Sequence, residues 1–387
     1  MANVKHMVHT IIFITYIWLY YWVTDALTPN PLSHSLTNPL VKCVVVFMQI
    51  LSVIALPQYI FQFLGLIVYN PFTDNDVPLK CDPLSAPFIC FRVVTRGKYR
   101  RLVADNVKRH VNVCSTVGLK HFMIEVVTDN PLDLDTTNSR VREIVVPVGY
   151  QPKNGAMFKA RALQYRLDTN DLADDEWIVH LDEETVMTEQ SVRGVVNFVS
   201  DGRHDFGQGL ITYADQQVVN PWTTLLDTQR VADDMGKVRF QFEYFNDAPF
   251  SWKGSFMVCR VKAELLVSFD HGLEGSIAED MYFSMRALMG RHTFGWIEGP
   301  MWEKSPFTLW DYIEQRKRWM QGIWLVVHSF NIPWSIKLWR ALSLYGYMTM
   351  ALHALLTVYI YFMPQYSIQW ISVLQIFISA VGNYMFI

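Results

Sequence analysis

The sequence holds 387 residues, of which 51% are hydrophobic, 14% aromatic and 18% charged; soluble domains usually carry about 25% charged residues. That composition excludes a disordered chain and argues against an ordinary soluble enzyme. Lys+Arg 33 against Asp+Glu 36 leaves a formal net charge of −3, so no global basic signal points to nucleic acid.

Four apolar runs stand at the ends of the chain. Residues 7–24 (MVHTIIFITYIWLYYWVT) carry no formal charge and are long enough to cross a bilayer. Residues 40–69 form a second run, with Lys42 near its start and Pro57 inside it. Residues 342–363 and 366–387 form the third and fourth, and the sequence stops inside the last without a polar tail, which reads as a truncated or short form. Each run has the alternative of a buried core helix. The 25–41 loop has no Lys or Arg, whereas Lys5 precedes the first run and Lys80, Arg92, Arg96, Lys98, Arg100 and Arg101 come after the second. The positive-inside rule then places the N-terminus and the middle of the chain in the cytosol. The expected division is a membrane region over 1–75 with two spans, a catalytic domain over 76–335 ending in an interfacial helix, and C-terminal spans over 336–387.

The five cysteines form no CxxC pair, which excludes a zinc ribbon or a thioredoxin-like site. In the middle region, 88–95 (FICFRVVT), 122–128 (FMIEVVT) and 177–181 (WIVHL) are short runs rich in β-branched residues. Helical spacing fills 102–117 and 157–172 between them. Strands alternating with helices predict an α/β, mostly parallel, Rossmann-like sheet, whose ligands bind beyond the C-terminal strand ends.

Four motifs in that region could carry chemistry, each with an ordinary structural alternative. Asp182 and Glu184, after the third predicted strand, can hold a hard divalent cation or form a solvated acidic turn. Glu279-Asp280 opens a predicted helix; Asp280 can act as a general base, or the pair can simply suit the helix dipole. Gln315-Arg316-Lys317-Arg318-Trp319 reads as a basic interfacial helix, or Arg318 neutralises a diphosphate while Trp319 stacks on a sugar. The loop 152–156 (PKNGA) leads into a helix whose N-terminus favours an anion.

In their order along the chain, these motifs resemble the inverting GT-A glycosyltransferases of family 2, over roughly residues 85–335. The stretches VVTRG, PKNGAMFKARAL, HLDEET, SWKGSFMVCR, SIAEDMYFSMRA and QRKRWMQG are similar to the egghead-type β-1,4-mannosyltransferases. The resemblance implies a GT-A domain and transfer of mannose from GDP-mannose to glucosylceramide in glycosphingolipid synthesis, by a multi-pass protein of the ER or Golgi with its catalytic domain in the cytosol. It assigns Thr95, Arg96, Asp129 and Lys153 to the nucleotide sugar, Asp182 and Glu184 to a Mg²⁺ or Mn²⁺ ion, and Asp280 to the catalytic base with Glu279 beside it. Gln315 and Arg318 fall to the diphosphate and Trp319 to the acceptor. The family's second metal position is Asp, so Glu184 is a departure. A processive polysaccharide synthase, a polyprenyl-phosphate sugar transferase using a UDP-sugar, a membrane hydrolase and a non-catalytic scaffold stay open as rival readings.

Overall fold

The structure, a computed structural model, describes residues 1–25, 27, 38–73, 76–214 and 217–387; most of the 25–41 loop lies outside them. Three helices come first: α1 (Ala2–Val23), α2 (Pro39–Ser52) and α3 (Leu56–Val68). The second apolar run is thus two helices, broken at residues 53–55. Pro57 has no N–H to continue a helix but fits the first turn of a new one. Among the described residues, two stretches are long and apolar enough to cross a membrane, Pro39–Val68 and Trp334–Ile360. The first apolar run is a 22-residue helix and the fourth a 16-residue helix, and neither joins those two.

Among the described residues, seven strands come next: β1 (Ile89–Thr95), β2 (Phe122–Thr128), β3 (Val141–Val145), β4 (Trp177–Asp182), β5 (Phe206–Thr212), β6 (Met257–Arg260) and β7 (Phe294–Trp302). They form one sheet in the order β3-β2-β1-β4-β6-β5-β7. β6 alone runs antiparallel to its neighbours. The register pairs Thr95 with Thr128 and Val94 with Asp182, so the C-terminal ends of β1, β2 and β4 share one edge.

The remaining helices are α4 (Arg100–Val117), α5 (Phe158–Asp168), α6 (Glu189–Asp201), α7 (Pro221–Asp233), α8 (Arg239–Phe245), α9 (Val261–Val267), α10 (Glu279–Met289), α11 (Leu309–His328), α12 (Trp334–Phe362) and α13 (Gln369–Tyr384). Alternation along β1 sorts its side chains to two layers. Ile89, Phe91 and Val93 pack under α4 and α6. Val94, with Val127 of β2, packs under α5 and α10 with Ala160, Leu163 and Phe283. A π-helical turn, Asp234–Val238, joins α7 to α8. Outside the sheet domain, α1, α3 and α13 share an apolar cluster of Phe13, Leu66, Ile378 and Val381. Gln375 of α13 hydrogen-bonds Ser52 of α2.

Candidate active site

β4 delivers Asp182 to the edge of the sheet and the chain turns at once, Thr185 N–H donating to Asp182 C=O at 3.1 Å. The turn is pinned from below by α4, where Asn106 donates to the Glu183 carbonyl at 2.8 Å and His110 Nε2 lies 3.1 Å from the Thr185 carbonyl. Glu183 itself turns away and accepts the Thr95 hydroxyl of β1. That leaves Asp182 and Glu184 facing the site, which is the every-other-residue presentation expected of them.

Three further carboxylates come from elsewhere. Glu303 comes after β7 and accepts the Thr185 hydroxyl at 2.6 Å. Ser255 supports the same corner, its hydroxyl 2.7 Å from Thr185 Oγ1 and accepting Asp182 N–H at 3.3 Å. Glu279 and Asp280 open α10, where Asp280 Oδ1 accepts the Met281 N–H at 2.7 Å.

One cation ties the halves together. Lys159, near the start of α5, forms an ion pair with Asp182, donates to the Gly254 carbonyl at 3.0 Å and lies 3.6 Å from Glu279. Burial disfavours its charge, but Asp182, Glu279 and Asp280 outweigh that and hold the ammonium protonated. The carboxylates outnumber it. Burial first, then Asp182 and Glu303, push Glu184 up to about 8. Burial, with Asp280 beside it, lifts Glu279 to about 7 against the pull of Lys159. Asp280 and Glu303 are raised in the same direction, burial being the main cause of each.

Asp182, Glu184 and Glu303 share one corner, and Asp182 raises the affinity of both glutamates for protons. They offer oxygen ligands only, the donor set that suits Mg²⁺ or Mn²⁺. Their mutual repulsion is the strain that a bound cation relieves. A second metal-like group, His180, Cys259 and Glu264, has its ligand atoms within 4.8 Å of one another but is wholly buried in the sheet. The Arg92 guanidinium already stands 3.8 Å from Glu264, and His180 Nε2 3.1 Å from it. Positive charge is supplied there by the protein, so this group is structural.

The other expected residues divide. Thr95 and Asp129 reach the same edge; Arg161 of α5 holds Asp129 at 3.1 Å and anchors itself on the Tyr150 carbonyl at 3.1 Å. Arg96 is exposed, its carbonyl accepting Asn130 Nδ2 at 2.7 Å. Lys153 is exposed and makes none of these contacts. Its loop offers no anion cradle either. Asp270 already accepts the N–H groups of Asn154 and Ala156, the latter at 3.0 Å, and Ser276 accepts that of Met157 at 2.9 Å.

On α11, Arg318 is exposed and Gln315 half-buried, its Oε1 without a hydrogen-bond partner. Trp319 lies under two guanidinium groups, 4.1 Å from Arg316 and 4.8 Å from Arg230. Arg316 pairs with Asp227. Arg230, on α7, also stacks on Tyr213 at 4.8 Å and helps to hold the Glu303 charge. Sequence reading therefore missed Lys159, Arg161, Glu303 and Arg230. The run Lys159-Ala-Arg161 just inside a helix was the one visible signal, overshadowed by the preceding glycine loop.

A sheet edge carrying an acid-rich corner, a bridging lysine and a carboxylate pair on a helix start defines a group-transfer site of the kind sugar-nucleotide enzymes use. Similarity to known proteins agrees. The description "Glycosyl transferase family group 2" fits residues 177–386. The β-1,4-mannosyltransferase egh of Drosophila melanogaster is 48% identical over all of this chain and 86% of its own length. The β-1,4-mannosyltransferase bre-3 of Caenorhabditis elegans is 45% identical over the same shares. Among solved structures, S. aureus TarS with UDP-GlcNAc aligns over 77% of this chain and 82% of that one, at 13% identity and a TM-score of 0.41, a likeness too distant to carry an argument. The chain belongs to glycosyltransferase family 2. Within that family its relatives are β-1,4-mannosyltransferases, and it is an enzyme of that group.

Proposed function

We propose that the protein moves mannose from GDP-mannose to the 4-hydroxyl of glucosylceramide, at the cytosolic face of an ER or Golgi membrane. The observation that carries the reading is Lys159 bridging Asp182 to Glu279 beside Asp280: donor-side and acceptor-side carboxylates meet at one cation.

Asp280 takes the proton of the attacking hydroxyl. Burial raises its affinity for protons, which suits a base, and the nearby Lys159 charge works against that rise. The hydroxyl oxygen bonds to the anomeric carbon as the carbon–oxygen bond to the diphosphate breaks, and GDP leaves on the opposite face. Configuration inverts, from an α-linked donor to a β-linked product, with no covalent sugar–enzyme intermediate. Thr95 and Asp129 border the nucleoside, with Arg96 beside them. A divalent cation, when bound by Asp182, Glu184 and Glu303, supplies charge for the leaving diphosphate. Arg230 adds a fixed guanidinium to the same corner, with Gln315 and Arg318 on the neighbouring helix. Trp319 presents an indole held by Arg230 and Arg316, and the sugar of the acceptor meets its edge. The segments Pro39–Val68 and Trp334–Ile360 hold this domain, 76–335, at the bilayer, where a glycolipid head group emerges.

The test is GDP release by the full-length enzyme in mixed micelles with divalent cation. Donors are GDP-mannose, UDP-glucose, UDP-GlcNAc and UDP-galactose, each with and without glucosylceramide. Release from GDP-mannose only when glucosylceramide is present is the expected result. Release from a UDP-sugar without lipid would overturn the donor and acceptor together.

A further inference from the structure

A side chain from α3 is built into the backbone ladder of the catalytic domain. Gln62 is buried, at 1% exposure. Its Nε2 donates to the Ala232 carbonyl at 2.7 Å, and its Oε1 accepts the Lys237 N–H at 3.0 Å. Those two backbone groups are five residues apart, the spacing of a π-helical ladder, and the amide spans the gap between them. Two glycines make the fit. A Cβ on Gly236 would stand 2.4 Å from Gln62 Nε2, and one on Gly65 would stand 2.1 Å from the Gly236 carbonyl oxygen. π-turns cluster at functional sites because the extra residue re-aims the chain beyond it.

The floor of the site lies in the path of this turn. Asp234, the first residue of the turn, pairs with Lys253, and both are largely buried. Lys253 N–H donates to Gln208 Oε1 at 3.2 Å. The next residue, Gly254, gives its carbonyl to Lys159. A Cβ there would lie 3.3 Å from Glu279 Oε1 and 3.4 Å from Asp280 Cβ, so no slack separates this strip from the carboxylate pair. Arg230 stands two residues before the Ala232 carbonyl that Gln62 holds.

We propose that Gln62 is a positioning residue: through the Asp234–Val238 turn it fixes Lys253 and Gly254, and with them the placement of Lys159, Glu279 and Asp280. The inference rests on the mannosyl-transfer reading and adds that α3 sets the geometry of the reaction as well as anchoring the domain.

The experiment uses the full-length enzyme in nanodiscs. Gln62→Leu puts an apolar side chain one atom shorter there and removes both bonds; Gln62→Glu keeps the acceptor for the Lys237 N–H. Gln62→Leu is expected to lower kcat by about 10²-fold through misplacement of the reacting groups, with donor KM nearly unchanged, and Gln62→Glu to recover part of that loss. Amide hydrogen exchange, which needs no substrate, is expected to quicken in Gln62→Leu at Lys237 and also at Lys253 and Gly254. A kcat equal to wild type, or faster exchange confined to residues 232–238, would overturn the proposal. Should Gln62→Leu not fold, Gln62→Glu against wild type is read by the same two criteria. A wild-type enzyme that transfers no mannose would defeat the proposed function and leave the exchange result to decide this one.

Discussion

Two parts of the sheet domain carry dense charge, and they handle it in opposite ways. In the middle of the sheet, Glu125 of β2 meets Arg92 at 2.6 Å and Arg166 at 3.0 Å, and also pairs with Arg142. Arg92 and Glu125 have no exposed side-chain surface. Burial works against Glu125, but three guanidinium groups hold it down to about 2. At the sheet edge, burial first and neighbouring carboxylates second push Glu184 up to about 8 and Glu279 to about 7, and Lys159 alone does not offset them. Charge that is matched serves the fold. Charge left unmatched in a half-open corner is held for a ligand that brings the opposite sign.

The contrast breaks most sharply at Asp280. Asp280→Asn is expected to cut transfer by about 10²–10⁴-fold, the usual worth of a general base, with no loss of thermal stability and with unchanged binding of GDP-mannose. Full activity in that variant would remove the base assignment. The matching change in the other region is Glu125→Gln. It strands buried guanidinium charge and is expected to cost about 3–5 kcal/mol of stability, read by denaturant unfolding, while each folded molecule keeps its kcat.

Acid separates the regions by titration. Glu125 has its folded pKa depressed, so its contribution is present above the ordinary glutamate value of 4.5 and is lost as pH falls toward about 2. Unfolding midpoints of wild type are expected to drop through that window, and those of Glu125→Gln to drop less; parallel curves would show that the network is not what holds the middle of the sheet. The smallest effect sharpens the idea. Glu184→Gln removes one charge from a repelling group and is expected to raise stability without divalent cation by about 1 kcal/mol, while weakening the dependence of activity on Mg²⁺ or Mn²⁺. A loss of stability would mean that Glu184 is matched after all.

The sequence made the sheet edge more legible than the N-terminal helices. β1, β2 and β4 are mostly apolar runs rich in β-branched residues because both their faces are covered. α10 begins at Glu279 as its spacing indicates. β3, written Val141-Arg-Glu-Ile-Val145, hid because its inner charges serve Glu125 and the 132–134 loop at the sheet's end. Lys159, Glu303 and Arg230 were hidden for another reason: each acquires its meaning from a partner remote in sequence, such as Thr185 for Glu303, 118 residues away. The break at 53–55 was written in Pro57, but nothing local says that α3 then turns its glutamines toward the catalytic domain.

The matched network also sets a timetable for synthesis. By the time β4 has left the ribosome, Arg92 already has Glu125 as a partner. His180 has none until Glu264 emerges, 84 residues later, and two of the Arg92 nitrogens still face the same empty place. A nascent chain paused between those points holds a half-finished sheet whose imidazole and guanidinium groups await a carboxylate on a helix not yet made. The piece that completes the network is α9, which carries Glu264.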